Sequence, residues 1–228
     1  MTPIATDVWH VAGQPMKFPG GVRIPLASTV IRLPSGKVVV YSPGKLDEAD
    51  MAAIDALGDV AYILAPNLYH HLFAGKAHER WPKATLVGAP GLAAKRSDLK
   101  FGGELGSTQI DDALDVVIVG GSPAMNEAVL FHRPTGTLVC CDWLFNVTKP
   151  ANVFTSFALS LTGTSGRRLK QSRVWGWSTK DKAAARASRD KILEWPIQHI
   201  APVHGEPLDI DRDHLKPVLR GPFKVAGA

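Results

Sequence analysis

The sequence predicts a layered α/β (α+β) fold in which two β-sheets lie face to face between helices, a four-layer αββα sandwich. Three observations predict it: β-type runs joined by turns open the chain, strand and helix patterns alternate after them, and further β-type runs with helices follow. At 228 residues the chain is long enough for one large core, and a single domain spanning residues 1–228 is expected.

The opening strands are Val22 to Leu26, Ser28 to Leu33 and Lys37 to Tyr41. Pro34-Ser35-Gly36 between the last two reads as a hairpin turn, because Pro presets φ and Gly supplies the unusual backbone angles. Leu46, Met51, Ile54 and Leu57 recur at helical spacing, with Gly58 as a stop. Val60 to Ala65 is nearly continuous in apolar residues and ends at Pro66, as a strand covered on both faces would. A helix over His70 to Trp81, a strand over Ala84 to Pro90 and a short helix around Gly91 to Arg96 continue the alternation that favours parallel pairing. Leu114 to Val119, Ala128 to His132 and Thr137 to Cys141 are the later strands, the last two joined through Arg133-Pro134-Thr135-Gly136. Helices near Asn152 to Leu161 and Lys180 to Leu193 and a strand over Ile197 to Pro202 complete the pattern.

Composition narrows the function classes. Apolar residues make up 45% and charged residues 21%, the balance of a globular protein. No apolar run is long enough to span a bilayer, and the first residues lack a basic stretch followed by an apolar one, so no membrane partner and a cytoplasmic location are expected. Adjacent Cys140 and Cys141 are expected as buried thiols in a reducing compartment. Of the basic residues behind the net charge of +5, Arg167, Arg168, Lys170, Arg173, Lys180 and Lys182 fall in one stretch. It carries none of the signatures of sequence-specific nucleic-acid binding, and a solvated basic face is expected. The expected partner is a small-molecule substrate, with the chain a monomer or homodimer.

Three places carry polar residues that folding does not require: Asn67-Leu68-Tyr69-His70-His71, Asp142, and His204-Gly205. Each follows a β-type run, where scaffolds place sites. Should they converge, two or three imidazoles and a carboxylate surround one point, a donor set suited to zinc, manganese or iron with a position left for water. Neighbours in a strand-to-helix turn, unlike neighbours in a strand, can both face one cation, so His70 and His71 are both candidates.

The stretch from Pro66 to Gly75 resembles the first motif of the metallo-β-lactamase superfamily, His-x-His-x-Asp-His at the end of a strand, and the resemblance spans most of the chain. His71 matches the last His and His70 stands at the Asp position. Asp142 matches the bridging Asp, with Cys141 in place of the preceding glycine, and His204 matches the His of Pro-x-His-Gly in Pro202-Val203-His204-Gly205. Pro66, Leu68 and Ser122 stand where the first metal position would hold its three imidazoles. A branch of the superfamily with an Asn-x-x-His-His first motif is the nearer likeness.

The resemblance implies an αββα fold and one divalent metal, zinc with manganese or iron as alternatives, held by His70, His71, Asp142 and His204, or no metal at all. It implies a hydrolase-like protein using one metal-bound water on an ester, thioester, amide or phosphoester. Asp142, Tyr69 and Asn67 are the catalytic candidates. Asn67 and Tyr69 could orient water or polarise a carbonyl, though Asn67 could equally cap the following turn. His70 could ligate or hydrogen-bond a neighbouring loop. Glu127 could anchor its loop or supply a substitute oxygen. His132 is expected at the surface, and His10, His78, His199 and His214 in ordinary structural or exposed roles. The rival reading is a metal-free binding module on the same scaffold; a third is an RNA- or phosphate-binding face over Arg167 to Lys182.

Overall fold

The computed structural model describes residues 1–166 and 168–219. From the N-terminus, β1 (Thr2–Ala5) and β2 (Val8–Ala12) form a hairpin, β3 (Met16–Lys17) and β4 (Arg23–Ile24) form a separate ribbon, and β5 (Ala27–Arg32) pairs antiparallel with β6 (Val38–Tyr41). α1 (Glu48–Asp55), β7 (Val60–Ala65), α2 (Ala74–Arg80), β8 (Thr85–Gly88), α3 (Leu92–Lys95) and β9 (Gly103–Glu104) follow. Their strands pair in parallel, and the sheet runs β1-β2-β5-β6-β7-β8-β9.

The second sheet is built from β10 (Leu114–Ile118), β11 (Ala128–His132) and β12 (Thr137–Asn146). After α4 (Val153–Leu161), β13 (Lys170–Gln171), α5 (Arg173–Ser178) and α6 (Lys182–Ile192) come β14 (His199–Gly205), β15 (Leu208–Asp209) and α7 (Arg212–Val218). Its order is β10-β11-β12-β14-β15, with β13 on the far end of β12.

Strand alternation divides the core into three apolar layers. Between the sheets pack Val39, Tyr41, Leu64, Leu130, Val139 and Cys141. Val38, Val40 and Ile63 face the other way, onto Ile54 of α1, Ala77 of α2 and Leu92 of α3. Phe131, Leu138 and Cys140 face outward from the second sheet, onto Trp175 of α5, Ile192 of α6 and Leu215 of α7. Helix, sheet, sheet and helix are thus held by three clusters, each large buried side chain contributing about 1.5–3 kcal/mol. Cys140 and Cys141 fall into different layers because successive strand residues face opposite ways, and both are free thiols.

The structure departs from the expected elements in several places. β1, β2, β3, β9, β13, β15, α5 and α7 are additional, and the strand expected over Val22 to Leu26 is only β4, paired with β3 outside the two large sheets. The helix expected from His70 begins only at Ala74, because residues 70–73 form an irregular turn. β12 and β14 run on past Cys141 and Pro202 to Asn146 and Gly205, so Asp142 and His204 lie within strands. His132 is not at the surface but 2% exposed. It sits on β11, flanked by β10 and β12, and its Nδ1 lies 2.8 Å from Thr135 Oγ1.

Candidate metal centre

Three of the four candidate ligands come together at the carboxyl ends of β7 and β14 and within β12. His70 Nε2 and His204 Nε2 are 3.1 Å apart, His204 Nε2 is 3.1 Å from Asp142 Oδ1, and His70 Nε2 is 3.4 Å from Asp142 Oδ2. Among the described residues this trio forms a compact group able to hold one cation. The side chains of His70, Asp142 and His204 keep 9%, 17% and 7% exposure, so the point they surround is shielded yet reachable.

Each ligand is positioned by an identifiable local device. Pro25 O lies 2.8 Å from His204 Nδ1, so that nitrogen donates to it and Nε2 is the atom turned toward the trio. Phe145 stacks on the other face of the same ring, 4.6 Å away between centroids. The Gly205 that follows is demanded by packing. With φ at +113°, a Cβ there would fall 2.1 Å from Asn146 O. His70 Nδ1 lies 3.0 Å from Ser42 Oγ, and Ser42 itself takes a left-handed φ of 52° to turn the chain there.

Asp142 owes its position to a bulge. Cys140 pairs with Pro202, and the next pairing is Phe145 with His204, so β12 spends five residues where β14 spends two. The bulged N–H groups donate to the side chain of Glu127 instead: Cys141 N to Oε1 at 2.9 Å, Asp142 N to Oε2 at 2.8 Å, and Trp143 N to both oxygens at 3.1–3.2 Å. Glu127 is wholly buried. Burial and the charge of Asp142 push its carboxyl up to about 8, while the donors from Cys141, Asn67 and Trp143 pull the other way. Burial also works against the Asp142 carboxylate, but the charge of His70 and hydrogen bonds from His204 and His70 outweigh it and hold the group well below the usual range.

Asn67 ties the first loop to this bulge. Its Oδ1 accepts from Tyr69 N at 2.8 Å and His70 N at 2.7 Å, and its Nδ2 donates to Asp142 Oδ2 at 2.8 Å and Glu127 Oε2 at 3.3 Å. All four hydrogen-bonding directions of the amide are therefore used inside the protein, which makes Asn67 a positioning residue and the cap of the 70–73 turn. Tyr69 sits at the cavity mouth, 54% exposed, with Lys95 Nζ 5.1 Å from its ring centroid.

The structure does not bring His71 into the trio. Its Nδ1 accepts from Arg96 Nη1 at 2.9 Å, and its carbonyl accepts from the same nitrogen at 3.2 Å. The two neighbours diverge because the amide of Asn67 fixes the His70 N–H, and the turn then carries His71 to the end of α3. Ser122, expected where a further ligand would stand, pairs with Ser178 at 2.7 Å between hydroxyl oxygens. Glu127, read from the sequence as a loop anchor or a source of a substitute oxygen, instead anchors the β12 bulge that carries Asp142, a partner nothing in the sequence pointed to.

The donor set fits a divalent metal. Bonds of about 2.0–2.2 Å in a tetrahedron put neighbouring ligand atoms roughly 3.3–3.6 Å apart. The closest spacings here are 3.1, 3.1 and 3.4 Å.

Two packed sheets flanked by helices give the chain the fold of the metallo-β-lactamases. The chain resembles a putative diflavin flavoprotein from Nostoc sp. with a TM-score of 0.67 at 15% identity, over 97% of this chain and 95% of that one. It resembles the DIM-1 metallo-β-lactamase exposed to ceftazidime with a TM-score of 0.65 at 14% identity, over 96% and 94% of the two chains. The FIM-1 metallo-β-lactamase from Pseudomonas aeruginosa in its mono-zinc form aligns with a TM-score of 0.62 at 16% identity, over 98% and 94%. No family model matches the sequence, and no curated protein matches it. Among the described residues, no helix is long and apolar enough to cross a membrane.

Proposed function

We propose that the protein is a metal-dependent hydrolase-like protein that works with a single divalent cation held by His70 Nε2, His204 Nε2 and the Asp142 carboxylate. The observation that carries the proposal is the spacing of those three donors, which is that of ligands sharing one small cation. Three protein ligands, rather than four, are the pattern of catalytic rather than structural sites. When bound, such a metal supplies Lewis-acid polarisation of a carbonyl or phosphoryl oxygen and lowers the pKa of water toward neutrality.

The chain's own residues account for the rest. Pro25 O and Ser42 Oγ orient the two rings, so that each presents Nε2 to the same point. Glu127 and Asn67 hold the bulge and the Asp142 carboxylate in place. The apolar wall beside the trio keeps bulk water from the reacting bond. His71 has no part in the centre in this reading.

Elemental analysis of the purified protein tests the proposal. Wild type is expected to carry close to one equivalent of zinc, manganese or iron, His204→Ala to lose it, and His71→Asn to retain it. Equal metal in wild type and His204→Ala, or none in either, refutes the proposal and leaves the scaffold as a metal-free binding module.

A further inference from the structure

The cavity beside the trio has a chemical character that the metal proposal alone does not specify. It measures about 500 Å³ and reaches from His70, Asp142 and His204 out to the β3–β4 ribbon and α4. Its walls are apolar: Ile24, Leu26, Phe73, Met125, Leu159 and Trp175 among others. Tyr69, Thr162, Thr164, Ser172 and Ser178 are the hydroxyl-bearing residues that line it outside the trio. Among the described residues, neither lysine nor arginine lines it. Lys95, beside Tyr69 at its mouth, donates to Leu68 O and lies against the Tyr69 ring.

The absence of a lining cation decides which ligands fit. A carboxylate or phosphate drawn into this space would lose its hydration with no counter-charge except at the metal itself, which disfavours its entry. A neutral apolar group loses nothing on entry and gains its burial. At about 30 Å³ per water-sized group, the space holds up to roughly 16 heavy atoms. α4 extends the same character to the surface. Its inner side supplies Ala158, Leu159 and Thr162 to the cavity, while Val153, Phe154, Phe157 and Leu161 stand 57–73% exposed on its outer side. Apolar side chains on both sides of one helix are unusual for a helix at a water-facing surface.

Resting on the hydrolase reading above, we propose that the substrate is an uncharged lipophilic carboxylic ester whose aliphatic or aryl part occupies this cavity. The acyl carbonyl then lies at the trio and the chain runs between α4 and the β3–β4 ribbon. A fully buried methylene is worth about fourfold in binding. Even partial burial then raises kcat/KM at least tenfold from p-nitrophenyl acetate to p-nitrophenyl hexanoate.

The test separates binding from turnover. Displacement of the neutral fluorophore N-phenyl-1-naphthylamine by octan-1-ol, octanoate and octyl phosphate is measured on wild type, His204→Ala, Ala158→Trp and Leu72→Lys. In His204→Ala, which lacks the metal, octanol is expected to displace the probe at least tenfold more tightly than either anion. Ala158→Trp, which fills the cavity from a half-buried position, is expected to abolish probe binding with metal content unchanged. Leu72→Lys, at an exposed wall position, is expected to narrow the preference for octanol. Probe binding with that preference but no ester hydrolysis upholds the lipophilic ligand and refutes the hydrolase reading. Octanoate or octyl phosphate binding to metal-free His204→Ala as well as octanol, or phosphomonoester cleavage by wild type exceeding ester cleavage, overturns the substrate class while leaving the hydrolase reading standing.

Discussion

Replacing Asn67 by alanine separates a positioning role from a catalytic one. The side chain is wholly buried and makes four hydrogen bonds. Two are neutral, from Tyr69 N and His70 N, and are worth about 1 kcal/mol each; the bond to the Asp142 carboxylate is worth about 1.5–3 kcal/mol. The contact to Glu127, at 3.3 Å, adds little. Asn67→Ala is therefore expected to cost about 4 kcal/mol. At the usual 2–4 °C per kcal/mol for a chain of this size, the melting temperature falls by roughly 8–16 °C. Freed from its amide partner, Asp142 is also expected to hold metal about 10–100-fold less tightly, as when second-sphere partners of ligands are lost elsewhere. Urea denaturation and metal competition with a chelator measure both. If Asn67 instead oriented a reacting water, stability and metal affinity would stay near wild type while kcat alone fell. A loss of under 1 kcal/mol with unaltered metal affinity refutes the positioning role.

Two further predictions concern groups outside the trio. Burial, then the charges of Lys95 and Arg96, hold the His71 imidazole below its ordinary 6.5. Between that lowered value and about pH 6.5 the unfolded chain binds a proton there and the folded protein does not. The contribution is complete above about pH 6.5 and is lost as pH falls through the window. His71→Asn keeps an acceptor for Arg96 without the titration, so its urea-measured stability should decline less than that of wild type between pH 7 and 5; parallel curves would contradict this. Burial, then the nearby charge of Glu127, raises both the Cys140 and Cys141 thiols well above their ordinary range. Neither should react with a disulfide reagent at pH 8 until the protein is unfolded, and rapid labelling of the native protein would show the β12 bulge to be open.

The layers of the fold were legible because apolar residues repeat with the period of each element, as in Val38 to Tyr41 and Leu46 to Leu57. What escaped were elements too short or too polar to show a period. β1 and β2 straddle the turn at Asp7, and α7 with its C-cap presents little more than Leu215, Val218 and Leu219 to the core. In the site, residue types were legible and directions were not. His204 announces itself because a glycine must follow it where Asn146 O leaves no room for a Cβ. His70 and His71 are chemically identical in sequence, and only the amide of Asn67, accepting from His70 N, decides which of them faces Asp142.

The same reasoning explains why Asp142 seemed to follow a hairpin. A bulge leaves no pattern of its own, since the three residues it adds to β12 are spaced as any strand residues are. Its signature lies elsewhere in the chain, in a carboxylate at Glu127 placed where an interior strand begins. A buried acid costs several kcal/mol unless donors converge on it. The three unpaired N–H groups of the bulge are those donors, and each feature makes the other tolerable. Glu127 and the bulge therefore stand or fall together, with Asp142 carried on the structure they share.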